Sequence, residues 1–287
     1  TMKVPATIIN GSRPGKTVAI TGGIHGGEYP AIETAIRLAQ SLSPEQILGN
    51  MAIVHIANVS SFEAKMQYYS PEDGKNLNRM FPGKYSGTIM ERIAYTITTE
   101  LHDRADFYID LHGGDIHEDL IPFVICPSGA SEEVVRLSRE AAEKMGIELV
   151  VGSVSTTGAF VSAAARGVPS FLAEIGGCGV WTEDEVKAYI DGIKNVLKHL
   201  GVLDGEVEDL GKATYLPKTH GVSAMITGCW YPSIKPGEIV VKDQKAGEIR
   251  DYFGNLFEEY FAPASGIVLY VISSLAVTKD EALFAIA

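Results

Sequence analysis

Cysteine is scarce in this chain of 287 residues: Cys126, Cys178 and Cys229 stand far apart, with no C-x-x-C pair. That spacing suggests neither a disulfide framework nor a thiolate zinc site, and it suits a reducing compartment. Positive charge is also short, 24 Lys and Arg against 36 Asp and Glu, for a formal charge of -12. Such a balance argues against a phosphate-backbone binder, so no nucleic acid is expected as a partner. No apolar run approaches the roughly 20 residues that span a bilayer, and the N-terminus lacks a basic-then-apolar leader pattern. The expectation is a soluble, cytoplasmic protein with no membrane partner. Core material is plentiful: hydrophobic residues make up 46% of the chain, enough for one large or two modest domains.

The first two thirds alternate in period. Ala6–Asn10 and Thr17–Thr21 read as strands, separated by the turn residues Arg13-Pro14-Gly15. Ile32, Ala35, Ile36 and Ala39 recur at helical spacing, so a helix starts near Glu28–Tyr29, with Pro30 in its first turn. Ala52–Val59 reads as a strand buried on both faces. Ser60–Lys84 has no clear period and many turn residues, and a loop that long is usually functional. Further strands are predicted at Phe107–Leu111, Phe123–Cys126, Glu148–Val151 and Ser170–Ala173, and helices at Thr88–Asp103, Ser131–Met145 and Gly158–Ala165. Thr182 and Glu185 form a capping box for a last helix closed by Gly201. The alternation predicts an α/β fold, a mostly parallel sheet flanked by helices. After Leu203-Asp204-Gly205 the pattern changes to short apolar runs between Pro-Gly and Gly turns. Residues 1–205 are therefore assigned to one domain and 206–287 to a small all-β domain.

Polar clusters follow three predicted strands: His25 and Glu28 in Gly22-Gly23-Ile24-His25-Gly26-Gly27-Glu28, then His112, then Glu174. Ligands of open α/β sheets bind at the carboxyl ends of the strands. Two imidazoles and one carboxylate are the usual protein ligands of a catalytic zinc, and the glycines let backbone approach a metal closely. Taken singly, these residues have ordinary readings. His25 could cap the following helix, Glu28 could favour its positive end, and His112 could be a hydrogen-bonded structural histidine. His117 is the rival ligand, lying near His112 in sequence. Asp110 falls on the same side of its strand as His112 and could orient that ring.

The order Gly-Ile-His-Gly-Gly-Glu, Asp73-Gly74-Lys75-Asn76-Leu77-Asn78-Arg79-Met80-Phe81-Pro82-Gly83, Asp110-Leu111-His112 and Ala173-Glu174-Ile175-Gly176-Gly177 resembles the succinylglutamate desuccinylase/aspartoacylase family. That family is a branch of the zinc carboxypeptidase-like fold. The resemblance implies one zinc per chain on His25, Glu28 and His112, with Glu174 as general base and acid. It also implies that Asn78 and Arg79 bind a substrate carboxylate. The residue chemistry agrees, since an Arg fork beside an amide donor suits a carboxylate and a free carboxylate beside a metal-activated water can shuttle its proton.

One departure stands out. Members of the family often carry an arginine shortly before the Asp-Gly run, where it polarises the scissile carbonyl. Here the run reads Ala64-Lys65-Met66-Gln67-Tyr68-Tyr69, and Gln67 is aligned with that arginine as a substrate-contacting residue, with Lys65 as a substitute. The C-terminal part resembles a barrel-sandwich hybrid like those of biotinyl and lipoyl domains. No lysine there carries the usual carrier frame, Lys245 included, which points to a wall or lid role.

The function expected from sequence is a zinc-dependent amidohydrolase acting on a small N-acyl amino acid or related N-acyl amine. Two alternatives are a metallocarboxypeptidase acting on a peptide or cell-wall fragment, and a zinc-retaining binding protein with weak catalysis. The acyl group, the amine and the oligomeric state, a homo-oligomer among the options, are not legible in the sequence.

Overall fold

The computed structural model describes residues 3–287. Its first part places strands β1 (Ala6–Asn10), β2 (Arg13–Thr21), β3 (Leu48–Val54), β4 (Phe107–His112), β5 (Glu118–Leu120), β6 (Phe123–Pro127), β7 (Leu149–Ser153), β8 (Ser170–Glu174) and β9 (Thr214–Leu216). Between them run α1 (Tyr29–Ser41), α2 (Val59–Ala64), α3 (Ile89–Glu100), α4 (Glu132–Ala142), α5 (Ala159–Ala165) and α6 (Glu183–His199). All of these strands except β5 join one eight-stranded sheet in the order β1-β3-β2-β4-β8-β6-β7-β9. Only the β1/β3 and β6/β8 pairs are antiparallel, so the sheet is mostly parallel as expected.

Strand alternation decides which helices cover which face. Val18 and Ile20 of β2, Phe107, Ile109 and Leu111 of β4, and Phe171 and Ala173 of β8 pack with Ala35, Leu38, Tyr189 and Ile193 of α1 and α6. On the opposite face Ala19, Tyr108 and Leu172 pack with Met90, Ile93 and Ala94 of α3 and Phe160 of α5. By the same period, Asp110, His112 and Glu174 belong to this second face, at the ends of their strands. The parallel register of β4 and β8 makes His112 and Glu174 direct cross-strand partners. The Tyr189 hydroxyl hydrogen-bonds the carbonyl oxygens of His112 and Ala173 and ties the two strand ends together.

The remaining strands, β10 (His220–Ser223), β11 (Gly228–Pro232), β12 (Ile239–Val240), β13 (Lys245–Arg250), β14 (Leu256–Phe261), β15 (Gly266–Ile272), β16 (Ala276–Val277) and β17 (Ala282–Ile286), form two antiparallel sheets. Trp230 anchors their core, packing edge-on to Tyr260 and parallel to Phe284, while its Nε1–H donates to the Ile272 carbonyl at 3.1 Å. β5 leaves the first part to pair with β15, and β9 follows residue 205 yet pairs with β7.

Two local differences from the sequence reading have clear causes. The run Ala52–Val59 stops being strand at Val54, because the Ala57 and Asn58 amides donate to the carbonyls of Gly22 and Gly23 instead of a neighbouring strand. The Asn58 side chain then caps α2, accepting from the Ser61 amide at 3.2 Å, so the long loop begins as a short helix.

Candidate metal centre and active-site cavity

The turn after β2 is shaped by glycine at two points. Gly23 has φ +67°, and a Cβ on Gly26 would lie 2.2 Å from the Phe62 amide nitrogen, so neither position admits an ordinary side chain. This turn buries His25 and Glu28. Glu28 occupies the cap position of α1 but makes no side-chain cap bond. Its carboxylate instead faces two imidazoles: Oε1 is 2.6 Å from His25 Nδ1, and Oε2 is 2.9 Å from His112 Nδ1. One ligand atom from each of the three residues lies within 4.8 Å of the others.

The outer ring nitrogens indicate where the protons sit. His25 Nε2 is 3.2 Å from Asn76 Oδ1, and His112 Nε2 is 3.3 Å from Asp110 Oδ2. Both neighbours are acceptors, so neutral rings keep their hydrogen on Nε2 and turn the Nδ1 lone pair toward Glu28. Neutral rings so turned present two lone pairs and a carboxylate to one buried point, an arrangement that a bound cation relieves. These residues therefore fit a metal ion, and the set of two nitrogens and one oxygen donor suits zinc. Asp110 is itself fixed by Oδ1, which accepts from Thr21 Oγ1 at 2.7 Å and from the Tyr108 hydroxyl at 3.1 Å.

Electrostatics separates the carboxylates of the site. Burial opposes ionisation of Glu28, but the imidazoles, His112 most, outweigh it and hold its pKa near 2. Burial likewise disfavours a charged His112, yet Glu28 and Asp110 raise its pKa well above the ordinary value. Glu174 goes the other way. Burial lifts its pKa well above the usual carboxylate range, with Glu28 and Glu118 adding to the lift and His112 opposing it. Glu174 Oε2 has no hydrogen-bond partner among the described residues.

All seven residues singled out in the sequence line one cavity of ≈ 1180 Å³, namely His25, Glu28, Gln67, Asn78, Arg79, His112 and Glu174. Asn78 Oδ1 accepts from the Ala159 amide at the start of α5 (2.9 Å), which leaves its NH2 group for the cavity. Arg79 is exposed, and the only hydrogen bond of its side chain among the described residues is a donation to the Asn78 carbonyl at 3.3 Å. Lys65 does not line the cavity; it is exposed at the end of α2 with φ +53°.

Gln67 is engaged elsewhere. Its Nε2 lies 2.7 Å from His117 Nε2 and 3.4 Å from Glu281 Oε1, and His117 Nε2 lies 3.0 Å from that same oxygen. His117 is thus held in this triangle, outside the cluster of His25, Glu28 and His112.

Several site residues were not singled out in the sequence. Asn76 orients His25. Tyr68 packs its ring edge-on to that of His25 (centroids 5.3 Å apart), and its hydroxyl donates to Glu118 Oε2 at 3.0 Å. Burial, aided by Glu28, lifts Glu118 to about 7 despite that bond. Tyr270 and the segment 274–282 form the far wall. None of these carries a local pattern, because strands and loops distant in sequence bring them together.

The fold and the cluster define an α/β protein with a candidate three-ligand metal centre at its strand ends. Residues 14–200 match the succinylglutamate desuccinylase/aspartoacylase catalytic domain, and the chain belongs to that family. An N-alpha-acetyl-L-2,4-diaminobutyric acid deacetylase from Halomonas elongata is 33% identical over 208 residues, 71% of this chain. The chain spans 60% of the length of that curated relative. A product-bound structure of the ectoine utilization protein EutE (DoeB) from Ruegeria pomeroyi superposes with TM-score 0.89 at 26% identity, covering 99% of this chain and 88% of that one. A succinylglutamate desuccinylase/aspartoacylase from Rhodobacter sphaeroides gives a TM-score of 0.87 at 28% identity, with 99% and 88% covered.

Proposed function

We propose that this chain is a zinc-dependent amidohydrolase that removes the acyl group from a small N-acyl amino acid. The observation that carries the reading is the convergence of His25 Nδ1, His112 Nδ1 and Glu28 near Glu174, whose Oε2 is buried without a hydrogen-bond partner among the described residues. His25, Glu28 and His112 hold one zinc per chain. When bound, zinc supplies a Lewis acid for the amide carbonyl and lowers the pKa of water. Glu174 takes the proton of the attacking water and delivers it to the departing amine, which suits a carboxyl whose pKa burial has raised. The Arg79 guanidinium and the Asn78 NH2 bind the substrate carboxylate and fix the amide relative to Glu174. Gln67 closes the side of the cavity next to His117 and Glu281.

Residues 1–205 carry the catalytic machinery, and 206–287, a barrel-sandwich-like unit, walls the cavity with Tyr270 and 274–282. Three unpaired cysteines suit a cytoplasmic location. The name of the Halomonas elongata relative supports N-acetylated 2,4-diaminobutyrate as the first substrate to try.

The test is metal analysis followed by hydrolysis of a panel of N-acyl amino acids and short peptides. One zinc per chain, deacylation, and loss of turnover with retained zinc in Glu174→Gln are expected. Absence of stoichiometric zinc, or full activity in Glu174→Gln, contradicts the mechanism, and peptide cleavage without deacylation favours a carboxypeptidase.

A further inference from the structure

We infer that Tyr68, held by Glu118, is the hydrogen-bond donor that polarises the scissile carbonyl in this chain. The inference rests on the amide-hydrolase reading above. Three observations carry it, and the first is backbone placement. Tyr68 has φ +47°, a left-handed conformation that bulky residues rarely adopt and that persists only where surroundings enforce it. Here the Tyr68 amide donates to Asp115 Oδ2 at 2.9 Å, and Asp115 Oδ1 in turn accepts from the Ile116 amide at 2.6 Å. This buried acid sits three residues beyond His112, so the segment that carries a metal ligand also fixes Tyr68.

The second observation is direction. The Tyr68 ring stands edge-on to His25, 5.3 Å between centroids, and the side chain lines the same cavity as Glu174 and His112. Glu118 Oε2, 3.0 Å from the hydroxyl, holds its far end. A phenol has one hydrogen and can also accept, so it can accept from a protonated Glu118 while donating to a carbonyl oxygen. When the Glu118 carboxyl carries the proton, that carboxyl donates to the hydroxyl and the hydroxyl donates to the substrate. No bond to carbon is made or broken by either group; each only stabilises charge growing on the carbonyl oxygen.

The third observation is the displacement of the competitor. The Gln67 amide nitrogen is committed to His117 and Glu281, so the neighbouring residue is left to face the reacting centre. A tyrosine donor in place of a guanidinium adds no positive charge to the cavity.

Tyr68→Phe removes only the hydroxyl and keeps the ring packed on His25. In the zinc-loaded protein it should lower kcat about 10²–10³-fold for the N-acetyl amino acid that the wild type hydrolyses, with KM little changed and zinc still one per chain. Gln67→Ala should lose less than Tyr68→Phe. A wild type that hydrolyses none of the amides defeats the amide-hydrolase reading but still allows Tyr68 to be tested. In that case acetohydroxamate, whose oxygens mimic the polarised carbonyl, should bind zinc-loaded Tyr68→Phe about 10–100-fold more weakly than wild type. Wild-type kcat in Tyr68→Phe, a larger loss in Gln67→Ala, or, where no turnover exists, unchanged hydroxamate affinity would each overturn the assignment.

Discussion

Single residues at this site act through what holds them. Asp110 Oδ2, 3.3 Å from His112 Nε2, has no other partner among the described residues, whereas its Oδ1 is used by Thr21 and Tyr108. Replacing Asp110 with Asn keeps the shape and removes the charge that favours the metal-binding tautomer. Zinc affinity, read by competition with a chromophoric chelator, should fall about 10–100-fold; an unchanged affinity would reduce Asp110 to a structural acceptor. His102 shows the opposite design. It is buried, packed against Phe81 and Tyr108, and neither ring nitrogen has a hydrogen-bond partner among the described residues. Burial lowers its pKa from the usual 6.5 to about 4, so the folded state favours the neutral ring. That contribution is complete above pH 6.5 and is lost as pH falls toward 4, with a total of about 3 kcal/mol. His102→Phe should therefore flatten the pH dependence of the urea midpoint across that range.

Elements set the geometry that those residues use. Helix α6 starts at a capping box: Thr182 Oγ1 accepts from the Glu185 amide at 3.3 Å, and Glu185 Oε2 accepts from the Thr182 amide at 2.8 Å. The helix carries Tyr189, which ties the ends of β4 and β8. Thr182→Ala should cost about 1 kcal/mol and lower Tm by roughly 2–4 °C in a calorimetric scan. The box was legible in sequence because it is local, as were nearly all the strands and helices up to α6 with their 2.0 and 3.6 periods. The grouping of His25, Glu28 and His112 was legible for a different reason: the three residues lie at strand ends flanked by glycine. Strand β5 was not, since Glu118-Asp119-Leu120 has no apolar alternation and becomes a strand only by pairing with β15. Tyr68 carries no local signal that sets it apart from Gln67; only tertiary contacts with His25, His117 and Glu281 separate them.

At the scale of the whole molecule, the two parts are stitched by exchanged strands. β5 belongs in sequence to the first part and in space to the second, while β9 does the reverse. A shared apolar cluster of Phe123, Leu149, Val151 and Leu269 seals the seam. Leu269→Ala should cost about 2–5 kcal/mol through the cavity it leaves. Unfolding should proceed as one calorimetric transition in both wild type and variant, and two resolved transitions would show that the seam does not couple the parts. No helix among the described residues is long and apolar enough to cross a membrane.

The pairing of β5 with β15 also sets a timetable for synthesis. Leu120 meets Tyr270 across the ladder, so the strand that follows His112 leaves the ribosome 150 residues before its partner exists. At roughly 5–20 residues per second this is a wait of about 8–30 s. From its start His25, Glu28 and His112 are already made, Glu174 follows 54 residues later, and the wall carrying Tyr270 and Glu281 comes last. The proposed zinc can enter a nascent chain through an open side that the finished protein closes.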